Sequence, residues 1–327
     1  MPFFSIVTPV YNPPADALLE CIKSMKNQSF TNWEWCVVDD RSTHKYVQTI
    51  LQRAMASDSR IRVALRATNG GIVDASQDGL DMATGEFVGL LDHDDTLDSE
   101  ALAKVAAALL ANPDADYVYT DEDKIKPNGQ HYDSYRKPPF DQSRLRGQNY
   151  CCHFSVFRNT LLDDIGGFRR GFDGSQDYDL ILRATEQARS IVHIPEVLYH
   201  WRVVPGSTAG DSTAKPYAYE AGVRAIEQHF ERSGIAAEVT KLQPGSYSHM
   251  FTLLPTSPLV SIVIPTIGTK SRVWGASVRM IEHLVTNIVN MTTYDNYEII
   301  VIDDLNRHPG YAVPFNQPDH SPSRRIS

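Results

Sequence analysis

Apolar positions along the chain fall into short blocks whose spacing alternates between two periods. Phe3–Val10 is a β-rich apolar run closed by Pro9 and the Pro13-Pro14 pair, which predicts a buried strand. Leu18, Leu19, Ile22 and Met25 follow at helical spacing. Trp33–Val38 predicts a second strand, ending in Asp39-Asp40. Helical residues around Tyr46–Met55 lead to a strand over Ile61–Leu65. Ile72, Ala75, Ser76, Gly79, Leu80 and Ala83 then mark one face of a helix whose small residues allow close packing. Glu86–Leu91 predicts a strand ending in Asp92-His93-Asp94-Asp95. Ala101–Ala111 predicts a helix and Tyr117–Thr120 a strand. Lys124–Gln148 is less regular. Leu180–Gln187 reads as helix, Ile191–His200 as strand and Ala218–Ser233 as helix.

This alternation predicts an α/β fold, an open and mostly parallel sheet with helices on both faces. Ligands of such sheets gather beyond the carboxyl ends of the strands. Three strands end there in polar clusters, Thr8–Asn12, Asp39-Asp40 and Asp92–Asp95.

Part of the pattern repeats. Ser5–Pro9 recurs as Ser261–Pro265, and Asn32-Trp33-Glu34 with Val38-Asp39-Asp40 recurs as Asn296-Tyr297-Glu298 with Ile302-Asp303-Asp304. The second copy carries eight extra residues between its strands and then stops. The expected organisation is a complete domain over residues 1–243, a turn-rich linker over 244–257, and a truncated start of a second such domain over 258–327. The tail from Asn306 is expected to be disordered, and the fragment to be too short to bury much core of its own.

Composition narrows the function. Hydrophobic residues are 42% and charged residues 22%, as in ordinary globular proteins. The net charge of −9 argues against a nucleic-acid partner held by counterion release. Cys21, Cys36, Cys151 and Cys152 show no CxxC spacing and read as free thiols in a reducing cytoplasm. No stretch approaches the roughly 18 apolar residues of a membrane span. The expected location is cytoplasmic, with any membrane contact peripheral, on the inner face.

The carboxylates carry the candidate chemistry. Asp92, Asp94 and Asp95 follow an apolar strand and repel one another unless a cation neutralises them. Hard oxygen ligands favour Mg²⁺ or Mn²⁺. The same acids also suit a helix N-terminus, with Asp95 or Asp98 as cap. Asp39 and Asp40 suit either a base N–H and ribose hydroxyls or a turn. Asp177, after a glycine-rich loop, suits either a general base or an N-cap. His200 suits a metal or phosphate ligand or a structural role.

Taken in order, Thr8-Pro9-Val10-Tyr11-Asn12, Val38-Asp39-Asp40-Arg41-Ser42, Asn69-Gly70-Gly71, Ala83-Thr84-Gly85-Glu86, Leu91-Asp92-His93-Asp94-Asp95, Gly166-Gly167-Phe168 and Gln176-Asp177-Tyr178-Asp179 resemble family 2 glycosyltransferases of the GT-A fold. The resemblance covers about residues 3–230. Tyr119–Lys124 and Tyr199–Arg202 further resemble bacterial enzymes that build O-antigen, rhamnan and related surface polysaccharides.

The resemblance implies an inverting enzyme that moves a sugar from a nucleotide-sugar donor to a glycan or lipid-linked saccharide acceptor. The donor site would comprise Thr8, Pro9, Tyr11, Asn12, Asp39, Asp40, Asn69, Asp92, His93 and Asp94. Asp94 and His200 would hold the divalent metal. Asp177 would be the catalytic base, and Gln176, Trp201 and Arg202 would lie on the acceptor side. Gln176 replaces a frequent Glu, Arg41 replaces a frequent glycine, and an arginine common near Asn69 is missing. Competing readings are a sugar-phosphate nucleotidyltransferase and a non-catalytic sugar-binding domain. The first lacks its glycine-rich loop after Phe3–Val10. The second does not explain why Asp94, Asp177 and His200 occur together.

Overall fold

The computed structural model describes residues 1–126, 128–203, 216–243, 245–251, 257–303 and 325–326. The chain divides into two units, Met1–Phe251 and Thr252–Ser327.

In the first unit β1 (Phe4–Val10), α1 (Ala15–Lys26), β2 (Trp33–Asp39), α2 (Lys45–Ser57), β3 (Ile61–Leu65), α3 (Gly71–Met82) and β4 (Phe87–Leu90) alternate as the periodicity predicts. They continue into β5 (Thr96–Leu97), α4 (Ala101–Ala111), β6 (Ala115–Ile125), β7 (His131–Tyr135), α5 (Gln142–Gly147), β8 (Ser155–Arg158), α6 (Asn159–Ile165), α7 (Gln176–Gln187), β9 (Ser190–Arg202), α8 (Pro216–Arg232), β10 (Ala237–Gln243) and β11 (Ser246–Phe251). The main sheet has the order β3-β2-β1-β4-β8-β6-β9-β5, with β7 paired to β6. Strands β3, β2, β1 and β4 are parallel, and β8 enters antiparallel between β4 and β6.

Strand alternation divides the core between the two faces. Phe4, Ile6, Trp35 and Val37 pack with α1, α2 and α4 on one face. Val7, Cys36 and Val88 pack with α3, α6, α7 and α8 on the other. Full burial of a side chain such as Ile6 or Val37 contributes roughly 1.5–3 kcal/mol. The order of the strands reverses between β1 and β4, which opens a crevice at their carboxyl ends.

The Ala83-Thr84-Gly85-Glu86 turn is fixed from below. Glu34 Oε1 accepts from Ser5 Oγ (2.7 Å), Thr84 N (2.6 Å) and Thr84 Oγ1 (2.8 Å), and Ser5 Oγ accepts from Gly85 N (2.8 Å). A Cβ on Gly85 would come within 2.7 Å of Ser5 N, so only glycine fits this approach.

The first unit runs past the expected boundary at 243. Ser246–Phe251 pairs with β10 because Tyr247 is drawn into the core, stacked on Tyr178 and tilted against Tyr219. The remainder of the expected linker lies largely outside the described residues.

The second unit contains β12 (Val260–Thr266), β13 (Lys270–Val273), β14 (Ala276–Arg279), α9 (Met280–Met291), β15 (Tyr297–Asp303) and β16 (Arg325–Ile326). The repeat extends to hydrogen-bonding detail. Ser5 pairs with Glu34 in register, Ser261 pairs with Glu298, and each serine donates to its glutamate, at 2.7 and 2.6 Å. The extra residues between the strands form the β13–β14 hairpin. Ile264, Ile281, Val285, Tyr297 and Ile299 make a small core of this unit's own. Asp304 and most of the tail lie outside the described residues.

Candidate active site

Each polar cluster occupies a loop at the carboxyl end of a strand, and the loops bind one another. Asp39, fully buried, accepts from Ser42 N on Oδ1 (2.9 Å), while its buried Oδ2 has no partner among the described residues. Asp40 is saturated. It accepts from Arg66 Nη1 (2.8 Å), Gly70 N (2.9 Å) and Gly71 N (2.8 Å), and Asn69 Nδ2 donates to its carbonyl (2.9 Å). Asp40 therefore positions the N-terminus of α3. Arg66 also reaches Asp78 (2.7 Å) and supplies a guanidinium at this loop. Asn12, with a left-handed φ of 48°, accepts from Thr43 N (2.9 Å) and His44 N (3.1 Å) and joins the β1 and β2 loops.

After β4, His93 Nδ1 donates to Pro9 O (2.9 Å). Asp95, also fully buried, accepts from Tyr199 OH (2.6 Å) and Arg202 N (2.7 Å), anchoring the loop to β9. It caps no helix, since Glu100 is the N-cap of α4 and makes no side-chain cap bond. Asp98 makes a local turn instead, accepting from Glu100 N (2.8 Å). Burial pushes the Asp92 carboxyl above its ordinary range; His153 opposes this and Asp94 adds to it.

Asp177 is the second residue of α7, and Ser175 is the N-cap, so the capping role does not fall to Asp177. Asn149 Nδ2 donates to Asp177 Oδ2 (2.9 Å). The buried Oε1 of Gln176 and Oδ1 of Asn149 have no partner among the described residues. Asp179, two residues on, is consumed by Arg169 and Arg183 and braces α7.

These loops surround a cleft of about 710 Å³, within the range of small-molecule sites. Pro9, Tyr11, Asp40 and Asn69 line it, together with Asp92, His93, Asp94, Gln176, Asp177 and Trp201. Thr8, Asn12, Asp39, His200 and Arg202 are not among the lining residues. Thr8 Oγ1 is taken by Trp35 Nε1 (2.8 Å) inside the core. Arg202 Nε donates to Asp94 O (2.7 Å) and its other end pairs with Glu20, so it braces the loop from behind. His200 makes its contacts elsewhere: its Nδ1 bonds Asp123 Oδ1 (2.7 Å), and it groups with Asp123 and His131.

Sequence reasoning missed His153. It lines the cleft, stacks on Tyr199, and bonds Glu122 through its backbone N and through Nδ1 (3.3 Å). Burial opposes its charge, yet Glu122, Asp92 and Asp95 push its pKa up to about 9, so it is an imidazolium at neutral pH. Glu122 is in turn paired with Lys137, whose side chain is fully buried (3.1 Å). Tyr217, Tyr219 and Tyr247, also missed, add an aromatic wall.

Comparison with known proteins places this architecture. The model of glycosyl transferase family 2 matches residues 5–166. The chain is 37% identical to the O-antigen biosynthesis protein RfbC of Myxococcus xanthus, over 94% of this chain and 24% of that protein. It is 30% identical to a PGL/p-HBAD biosynthesis glycosyltransferase of Mycobacterium bovis, over 56% of this chain and 69% of that one. The mannosyltransferase PcManGT of Pyrobaculum calidifontis, solved with GDP-Man and Mn²⁺, shares the fold with a TM-score of 0.53 at 19% identity, over 71% of this chain and 64% of that one. The chain belongs to glycosyl transferase family 2 and has the GT-A fold. It spans about a third or less of the length of the first curated relatives it matches. No helix among the described residues is long and apolar enough to cross a membrane.

Proposed function

We propose that this chain is an inverting, metal-assisted transferase that moves a sugar from a nucleotide-sugar to a hydroxyl of a glycan or glycolipid in surface polysaccharide synthesis. The observation that carries this reading is the meeting of Asp92, Asp94 and Asp177 on one cleft at the sheet's switch point.

The residues after β4 fit a Mg²⁺ or Mn²⁺ ion. Asp92 and Asp94 offer hard oxygen donors, and the burial and mutual repulsion that raise Asp92 are what a bound cation relieves. Asp94 would hold the ion and Asp92 would face the donor. When bound, the ion supplies Lewis-acid neutralisation of the departing diphosphate. Asp39 lies behind the cleft lining, and its unpartnered Oδ2 would suit a base N–H of a nucleotide that reaches past that lining.

Asp177 takes the proton of the acceptor hydroxyl as that oxygen attacks the anomeric carbon. Asn149 fixes one of its oxygens and leaves the other for the proton. Gln176 Oε1 is free to accept from the same sugar. Trp201, Tyr217 and Tyr219 give the acceptor an aromatic wall. The relatives named for O-antigen and for PGL/p-HBAD biosynthesis support an acceptor of this class, and four free cysteines support work on the cytoplasmic side.

The test is a nucleotide-sugar screen by thermal shift, with Mn²⁺ or with EDTA, followed by nucleoside-diphosphate release for each donor that stabilises the protein. Stabilisation should require the metal, and a binding donor should be turned over. Stabilisation undiminished by EDTA would remove the metal from the reading. Binding without turnover would favour a sugar-binding module.

A further inference from the structure

Four acids on β6 are buried, three of them consecutive, and three of the four meet a permanent cation. Asp116 pairs with Arg158 (2.8 Å) and Arg189 (2.6 Å), Asp121 with Arg136 (3.3 Å), and Glu122 with Lys137 (3.1 Å). Asp123, only 7% exposed, meets two imidazoles instead. Its partners are His200 Nδ1 (2.7 Å) and His131 Nδ1 (3.1 Å), while the adjacent Lys124 reaches Asp133 (2.7 Å).

Strand alternation keeps this group off the cleft. Tyr199 and Trp201 pack against His153, which lines the cleft, and His200 between them bonds Asp123. Glu122 bonds His153, and Asp123 after it bonds the histidine pair. The two histidine rings stand edge to face, with centroids 4.4 Å apart, and one donor atom from each residue lies within 4.8 Å of the others.

We propose that Asp123, His131 and His200 bind a divalent transition-metal ion of the zinc type, at a site separate from the donor cleft. Two imidazoles and a carboxylate are ligands that zinc accepts, with water in the fourth position. Metal–ligand bonds of about 2.0–2.2 Å set tetrahedral ligand atoms roughly 3.3 Å apart. The observed 2.7 and 3.1 Å separations need only a small opening. Each imidazole then carries its single proton on Nε2 and gives Nδ1 to the ion. His131 is half-exposed, so the ion has an entry path. The effect is a staple: β7, which pairs only with β6 among the described strands, becomes tied to β9 just before Trp201. The proposal does not rest on the donor reading.

The full chain, stripped with EDTA, is titrated with Zn²⁺ and separately with Co²⁺ as a spectroscopic probe. The unaltered protein, Asp94→Ala and Cys152→Ser should each bind one tight Zn²⁺, and the cobalt spectrum should lack thiolate charge transfer. His131→Ala removes a ligand itself, so it should bind zinc more weakly by at least the roughly 100-fold that loss of an outer-shell partner can cost, and lose the zinc-dependent rise in melting temperature. His131→Cys should restore the site and add the thiolate band, which keeps the test decisive if the alanine variant is unstable. Equal zinc affinity in His131→Ala would overturn the proposal. So would loss of the tight ion in Asp94→Ala or Cys152→Ser, which would move it to the cleft.

Discussion

Replacing Asp177 by Asn separates a catalytic carboxylate from a helix-end charge. Asp177 sits in the first turn of α7, where a negative charge favours the helix dipole by about 0.3–1 kcal/mol. Asn forfeits that contribution together with the attraction of His153, a ring nitrogen of which lies within 4.8 Å, and in return relieves repulsion on Asp92. The cap itself belongs to Ser175, and an amide oxygen can still accept from Asn149 Nδ2. A loss of up to about 1 kcal/mol lowers the melting temperature of a domain this size by roughly 2–4 °C.

The rate responds on another scale. A general base typically supplies about 10²–10⁴-fold, or roughly 2.7–5.4 kcal/mol of barrier. Nucleoside-diphosphate release under saturating donor and metal reads this directly, with thermal-shift titration as the control for donor affinity. The expected result is a rate at least 100-fold lower with donor affinity within about threefold of the parent. Activity within threefold of the parent, alongside a small drop in melting temperature, would refute the assignment and leave Asp177 as a helix-end charge.

Other changes probe the scaffold. Asp40→Asn sets an amide against Arg66, Gly70 N and Gly71 N, and should cost about 2–4 kcal/mol in urea denaturation; a loss under about 0.5 kcal/mol would contradict the hub geometry. Gly85→Ala drives a methyl toward Ser5 N at 2.7 Å and should cost about 1–3 kcal/mol, read as a lower urea midpoint at unchanged slope. Asp116 is held down to about 2, chiefly by its hydrogen bonds from Arg189 against the cost of burial. Because the folded carboxyl is depressed, its contribution of about 2 kcal/mol is present above pH 4 and fades as pH falls through about 2. Asp116→Asn should therefore be less stable than the parent at pH 6, with the gap closing toward pH 2; a gap independent of pH would contradict the ion pair.

The strands β1, β2 and β4 were legible because each is a contiguous apolar run buried on both faces, and α3 because its small residues recur at helical spacing. The acidic ends of β2 and β4 were legible for the same reason, since carboxylates directly after buried strands stand out locally. What depended on distant partners was not. Strand β8 has four residues and takes its place between β4 and β6 only through pairing with segments far along the chain. Strand β11 hid in a turn-rich stretch, because Tyr247 earns its burial from Tyr178 and Tyr219. His153 owes its charge to Glu122, 31 residues earlier, and no local spacing signals that. His200 was readable in principle: the two-residue period that turns Tyr199 and Trp201 toward His153 turns the residue between them away.

Charge balance joins these particulars to the proposed chemistry. Asp92, Asp94 and Asp177 line the cleft, and His153 is a cation facing it. Glu122 and Lys137 offset one another beneath it, so His153 remains available to answer Asp92, whose carboxyl is raised even so. A nucleotide-sugar brings a diphosphate into the same space. Two like charges about 5 Å apart at an effective dielectric of about 20 repel by roughly 3 kcal/mol, and one imidazolium does not offset three carboxylates and a diphosphate. On the proposed reading, donor and divalent cation therefore bind as mutually dependent ligands, each raising the other's affinity by the same factor. On the same reading Asp177, at the start of α7 with one oxygen bonded by Asn149 Nδ2, is the carboxylate that takes the proton.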